Sequence, residues 1–280
     1  KAIDNSEIIE KYNPDNPDVI NGYKKLLNSQ HNNSSKKKNN NQNDKKSKIY
    51  LELCGGLGNQ LFQIYNLLSL SIDYKCEFEI LETKKDLVSP CDNCSKRPLY
   101  WNTIFKSLFK YTKKDIKKDN LNIIQEKRFE YDSIQLYSNY NNKYFNKIIN
   151  NSGNYLLQGY FQSYKYFQHN ITLINNIFNF ESLVDKYSSI YDYKNTISIH
   201  FRIGDFKSVA HVPILNIEYY INSLNKVILD TGKNNWNILY FYEKVDQLLI
   251  EKNITILNKE FENLNFIGIN NELQDWEQMI

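Results

Sequence analysis

One local pattern, occurring twice, constrains this chain most: a short apolar strand, a glycine-bearing turn, then a stretch with helical periodicity. Residues 49–53 read as a strand leading into Cys54-Gly55-Gly56-Leu57-Gly58. Residues 59–73 follow as a helix, with Leu61, Tyr65, Leu68 and Ile72 at helical spacing. Further on, residues 196–202 alternate cleanly, Ile197, Ile199 and Phe201 on one face and Ser198, His200 and Arg202 on the other. Asn216 is placed to cap a helix whose apolar stripe is Ile217, Tyr220, Ile221, Leu224, Val227 and Ile228. A strand over 237–242, a helix over 245–252, a strand over 264–269 and the start of another helix complete the series. Alternating strands and helices predict a parallel, doubly wound α/β sheet, and two such starts predict two domains with ligands at the carboxyl ends of the strands.

The predicted boundaries follow. Residues 1–48 form an N-terminal arm and low-complexity linker, 49–194 a first α/β domain, and 195–280 a second, incomplete one. Residues 35–48 contain no apolar side chain, so they have nothing to bury and read as a solvated spacer. The middle of the chain, 84–150, is rich in Tyr, Lys and Asn and gives mixed signals. Residues 155–158 read as a strand, and Gly159 as a turn before an aromatic-rich helix. The chain begins with Lys1 and ends at Ile280 within a helical pattern, so a piece of a longer or split reading frame is expected.

Composition matters for what it excludes. With 41% apolar and 14% aromatic residues, the 280-residue chain can bury a core. No apolar run approaches the roughly 18 residues of a membrane-spanning helix, and no basic-then-apolar leader is visible. The net charge of +3 is uneven: residues 1–48 hold ten Lys against six acidic side chains, the remainder 25 basic against 26 acidic. A nearly neutral body argues against nucleic acid as a partner. There are 41 Asn and two Ala, a usage that AT-rich codons explain, so the sequons at Asn170 and Asn253 carry little weight.

Three constellations could carry chemistry. Gly55-Gly56-Leu57-Gly58-Asn59-Gln60 lies between strand and helix, where backbone can approach a ligand and a helix N-terminus offers free N–H groups. It lacks the third glycine of a dinucleotide loop, since Leu61 stands there, and has no Gly-Lys-Ser/Thr, so it serves either as a tight turn or as a binding loop. In His200-Phe201-Arg202-Ile203-Gly204-Asp205-Phe206, the spacing puts His200 and Arg202 on one strand face. Arg202 offers a permanently charged fork for phosphate oxygens, and Asp205 could hold that Arg or cap the loop. Cys91-Asp92-Asn93-Cys94 is half of a zinc site without a second half.

Taken together, three ordered segments resemble the α-1,2-fucosyltransferase family of inverting, GDP-fucose-dependent enzymes. Residues 55–63 (GGLGNQLFQ) are similar to the family's opening G-G-L-G-N-Q-x-F-Q. Gly159-Tyr160-Phe161-Gln162-Ser163 with Tyr166-Phe167 resembles its G-Y-F/W-Q-S-x-x-Y-F segment, and residues 200–206 its H-x-R-R-G-D-Y motif, followed by Tyr219-Tyr220. The resemblance covers about residues 49–280. It implies a GT-B-like pair of Rossmann-like domains, an acceptor-side domain preceding a nucleotide-sugar domain. It also implies transfer of L-fucose from GDP-fucose to a galactose-type hydroxyl of a glycan, with no metal and no other cofactor. On this reading Arg202 contacts the donor diphosphate, His200 lies by the nucleotide and Asn59 near the sugar. Gly56, Gly58, Gln60, Gly204 and Glu243 complete the donor site, and Asp205 is the candidate base. The chain departs from the pattern in three places. Ile203 stands for the second Arg, Tyr242-Glu243-Lys244 stands where an Asp pair is usual, and residues 275–279 approach a final Ser/Trp-rich motif that is not reached. These departures keep a second expectation open, a truncated or split, non-catalytic binding module.

Overall fold

The computed structural model describes residues 47–74, 76–82, 97–114, 116, 121–128, 130–134, 153–178, 180, 182, 184–185, 193–208, 212–269 and 273–279. The arm and linker, the Cys91/Cys94 pair and much of 84–150 lie outside the described residues. The chain divides into two compact units, the described residues through Phe180 and those from Ser182 onward.

The first unit is an α/β layer. Its five-stranded sheet comprises β1 (Lys48–Glu52), β2 (Glu77–Leu81), β3 (Thr112–Lys113), β4 (Leu121–Gln125) and β5 (Asn154–Gln158), in the order β3-β2-β1-β5-β4. Every ladder is parallel. Ile49 of β1 stands opposite Phe78 on one side and Tyr155 on the other. Ile49 and Leu51 are wholly buried, as a central parallel strand covered on both faces requires. Helix α1 (Leu57–Tyr74) returns from β1 and is buried along most of its length, on polar as well as apolar positions: Gln60, Gln63, Asn66 and Ser69 have no exposed surface. Such a helix lies inside the unit rather than on it.

After β5 the expected aromatic helix is replaced by two short 3-10 turns, Tyr164–Tyr166 and Gln168–Asn170, before α2 (Ile171–Phe178). They follow Phe161, whose φ of 53° is left-handed. Its ring is buried and meets Tyr166 edge-on at 5.6 Å, and that packing holds the backbone in place.

The second unit carries a three-stranded parallel sheet: β6 (Thr196–Phe201), β7 (Asn237–Tyr242) and β8 (Asn265–Gly268), in that order. Its core contains Phe201, Ile203, Tyr220, Leu224, Ile238 and Leu257. Helix α3 (Ile217–Thr231) starts where expected: Asn216 Oδ1 accepts the Tyr219 N–H at 3.1 Å. It ends on left-handed Gly232 (φ 64°), whose N–H reaches Ile228 O at 2.9 Å. Helix α4 (Gln247–Glu260) is displaced from the expected 245–252 and extends further. A 3-10 turn, Lys244–Asp246, takes the first residues, and Ile250, Ile254 and Leu257 continue the buried stripe. A last short helix, α5 (Asp275–Gln278), closes the described chain. An α/β architecture with parallel sheets is therefore the fold.

Candidate functional site

In the first unit the candidate residues gather at the carboxyl ends of β1, β5 and β4. The chain leaves β1 through Cys54 and turns at Gly55, where φ is +77°. A Cβ there would stand 2.4 Å from Asn59 Nδ2 and 3.0 Å from the Tyr160 ring, so both conformation and space require glycine. Two glutamines of α1 hold this turn from within. Gln63 Nε2 donates to Cys54 O (2.8 Å) while its Oε1 accepts the Cys54 N–H (3.0 Å). Gln60 Nε2 donates to Gly55 O (3.0 Å) and Pro98 O (2.9 Å). Gln60 has no exposed surface, so the side chain expected at the donor is turned inward, its Oε1 buried with no hydrogen-bond partner among the described residues.

Gly56 and Gly58 differ from Gly55. Neither is left-handed, and a Cβ at Gly58 would meet no atom within 4 Å, at Gly56 only Arg97 Cδ at 3.9 Å. Nothing in the described chain demands glycine at 58. Open space thus lies beside Gly58 in the first turn of α1, among the described residues. Asn59 faces this region with its Oδ1 accepting from Gln162 Nε2 at 2.5 Å, which links the first and second motifs.

Glu126 also belongs here. Gln125 of β4 pairs with Gln158 of β5, so the residues just beyond, Glu126 and Gly159, are neighbours. Glu126 Oε2 accepts the Tyr160 N–H at 2.7 Å. Its Oε1 is buried and has no hydrogen-bond partner among the described residues.

In the second unit the ladder explains the site. Phe201 stands opposite Tyr242, so the next residues, Arg202 and Glu243, emerge side by side. The Arg202 guanidinium lies 3.6 Å from Glu243 Oε1 and 4.8 Å above the Phe206 ring. Both partners of this ion pair are more than a third exposed, so solvent screens it and it is weakly held. Alternation places Ile203 in the core, 2% exposed, on the face opposite Arg202. The Glu243 carboxylate packs onto Gly204, where a Cβ would come within 2.3 Å of it. His200 lies on the Arg202 face, and its pKa is pushed below the usual imidazole value, first by partial desolvation and then by the Arg202 cation. Its ring is thus neutral at pH 7.

Beneath these residues lies a carboxylate with no signal in the sequence. Asp246, its side chain fully buried, accepts the Gly204 N–H at Oδ2 (2.8 Å) and pairs with Lys207 through Oδ1. It ties the 3-10 turn after β6, Gly204–Ser208, to the start of α4. Asp205 belongs to that turn, but its side chain lies outside the described residues.

Cys54 and Cys76 are free thiols, and burial raises the pKa of both, Cys76 to about 12. Among the described residues no group of three His, Cys, Asp or Glu could hold a metal ion. Each unit therefore presents polar residues at the carboxyl edge of a parallel sheet: amides, a carboxylate and open glycines in one, a partly exposed guanidinium beside a neutral imidazole in the other. No family model matches the chain, and no curated protein matches its sequence.

Proposed function

We propose that this chain is an inverting glycosyltransferase of GT-B-like organisation that moves L-fucose from GDP-fucose to a galactose-type hydroxyl of a glycan, forming an α-1,2 linkage. The observation that carries this reading is Arg202. It sits just past the end of β6, about a third exposed, stacked over Phe206 and 3.6 Å from Glu243 Oε1. Breaking the sugar C1–O bond builds negative charge on the β-phosphate of the leaving nucleoside diphosphate. A guanidinium already in place stabilises that charge more in the transition state than in the bound donor, which is the condition for catalysis. The neutral His200 ring suits hydrogen bonding to the nucleotide. The ordered motifs supply the identity of the donor sugar.

The test is incubation with labelled GDP-fucose and a galactose-terminated acceptor, alongside calorimetry with GDP. Transfer and GDP binding are expected in the wild-type chain. Arg202→Ala should lose on the order of 100-fold or more in turnover, as removal of a transition-state charge contact does. Near-normal turnover in that variant refutes the assignment.

A second reading, a non-catalytic glycosyltransferase-like binding module, is favoured by two observations. Ile203 is committed to the core, and the Glu243 carboxylate competes for the guanidinium that the donor would use. That reading predicts GDP binding without transfer in the same assay.

A further inference from the structure

We propose that the outer face of α4 docks the protein on an anionic lipid surface. The face belongs to the second unit alone and stands apart from the transferase reading.

Helix α4 is apolar on two opposite sides. Ile250, Ile254 and Leu257 are buried in the core of the second unit. Val245, in the turn that leads into the helix, falls with Leu248, Leu249 and Ile256 on the other side by helical spacing. Their exposures are 78%, 77%, 43% and 43%. A single exposed apolar side chain is ordinary, but four along one helix mark a surface that meets something.

Lysines share this stripe. Lys252 falls in its middle, Lys259 at its far end and Lys244 beside Val245, and all three are exposed. The helix carries two acids. Glu251 is turned aside, accepting from Gln247 Nε2 at 2.8 Å, and Glu260 is the last residue.

The position of Lys252 selects the occupant. Two copies meeting on a two-fold axis centred on the stripe would set Lys252 against its counterpart, ammonium to ammonium. A protein partner would have to bury that ammonium among apolar side chains and match it with a carboxylate, at a large desolvation cost. A lipid surface requires neither. The apolar side chains enter the boundary of the acyl region, while the lysine stems lie along it and carry their ammonium groups up to the phosphates. Anionic headgroups attract all three cations at once. The 14-residue helix is about 21 Å long, short of the roughly 30 Å hydrocarbon core, and its inner side is packed in the unit, so it lies flat on the surface.

The test is co-sedimentation of the full chain with lipid vesicles at about 0.1 M salt. Phosphatidylcholine vesicles containing about a third phosphatidylserine should bind the protein, and phosphatidylcholine alone should bind it on the order of 100-fold less tightly, the joint effect of three surface lysines. Raising the salt to about 0.5 M should release it. Leu248→Glu and Lys252→Glu, both at exposed positions, should each weaken binding on the order of tenfold or more with an unchanged far-UV circular dichroism spectrum. In Leu248→Trp, emission in excess of wild type should move to shorter wavelength on the anionic vesicles, as the indole enters the headgroup boundary. A wild-type chain that stays in solution with both vesicles overturns the proposal. So does binding that neither Glu substitution changes, which assigns it to the lysine-rich residues 35–48. A dimer or a bound protein lost in Leu248→Glu, without vesicle binding by wild type, overturns it in favour of a protein on this face. Should Leu248→Glu fail to fold, Lys252→Glu decides alone.

Discussion

The turn that follows Arg202 is held by another residue, Asp246. Asp246 contributes no exposed surface; its two oxygens are taken by the Gly204 N–H and Lys207. Replacing it with Ala would leave a part-buried Gly204 N–H without its acceptor and the half-exposed Lys207 ammonium without its partner. We expect Asp246→Ala to lose about 1–3 kcal/mol of stability, the cost of stranding a part-buried donor, read as a lower urea midpoint with unchanged slope. Because Asp246 acts through the turn, the variant should also weaken GDP binding. An unshifted midpoint would show that the turn stands without it. Nothing in the sequence marks Asp246, since its partners lie 39 and 42 residues away and no local spacing joins them. His200 and Arg202, by contrast, are visible at once, because strand alternation alone assigns their shared face.

At the scale of elements, the glycine loop separates into two kinds of glycine. Gly55→Ala combines a left-handed φ with a Cβ 2.4 Å from Asn59 Nδ2, and should destabilise by about 1–3 kcal/mol. Gly58→Ala meets open space in the first turn of α1 and should leave stability unchanged or raise it by up to about 1 kcal/mol. If a ligand occupies that space, the same substitution should weaken its binding. Thermal midpoints for both variants, with and without GDP-fucose and galactoside, separate the two roles. A destabilised Gly58→Ala would mean that the glycine serves the fold alone. The motif letters put these glycines together but do not distinguish them; only the packing of Asn59 and Tyr160 does. Likewise β6, α3 and β7 emerge from periodicity within single segments. β2, β3 and β4 do not; β3 has only two residues, β4 is largely exposed, and the partners of all three lie far along the chain.

For the molecule as a whole, stability should depend on pH through a contact between elements. His169 Nε2 lies 2.9 Å from Asp73 Oδ2, joining the turn before α2 to the last turn of α1. The hydrogen bond to Asp73 raises the His169 pKa above its usual value against the opposing effect of burial. The stabilisation is therefore fully present below the unfolded value of about 6.5 and is lost as pH rises through the higher folded value. His200 has the opposite sign: its lowered pKa makes protonation oppose folding, so its effect appears as pH falls. Urea titrations of wild type and His169→Gln between pH 5.5 and pH 8.5 should converge at the alkaline end, and parallel curves would exclude the contact as the cause. The same cluster settles one surface question. Asn170 is 4% exposed, and its Nδ2 donates to Asp73 at 2.8 Å and to Ser69 Oγ at 3.0 Å. Its sequon is therefore closed to modification in the folded chain.

By itself the amino-acid order determined the alternation of strands and helices, the N-cap of α3, the faces of β6 and the place of the glycine turn. Each of these is set by interactions among residues within a turn or two of one another. Tertiary structure alone decided that Gln60 turns inward, that Asp246 underlies the turn after β6, and that Glu126 stands beside the glycine loop with one oxygen unclaimed. Those outcomes depend on which strands pair and in what register. Parallel pairing joins residues tens of positions apart, and no local pattern records it.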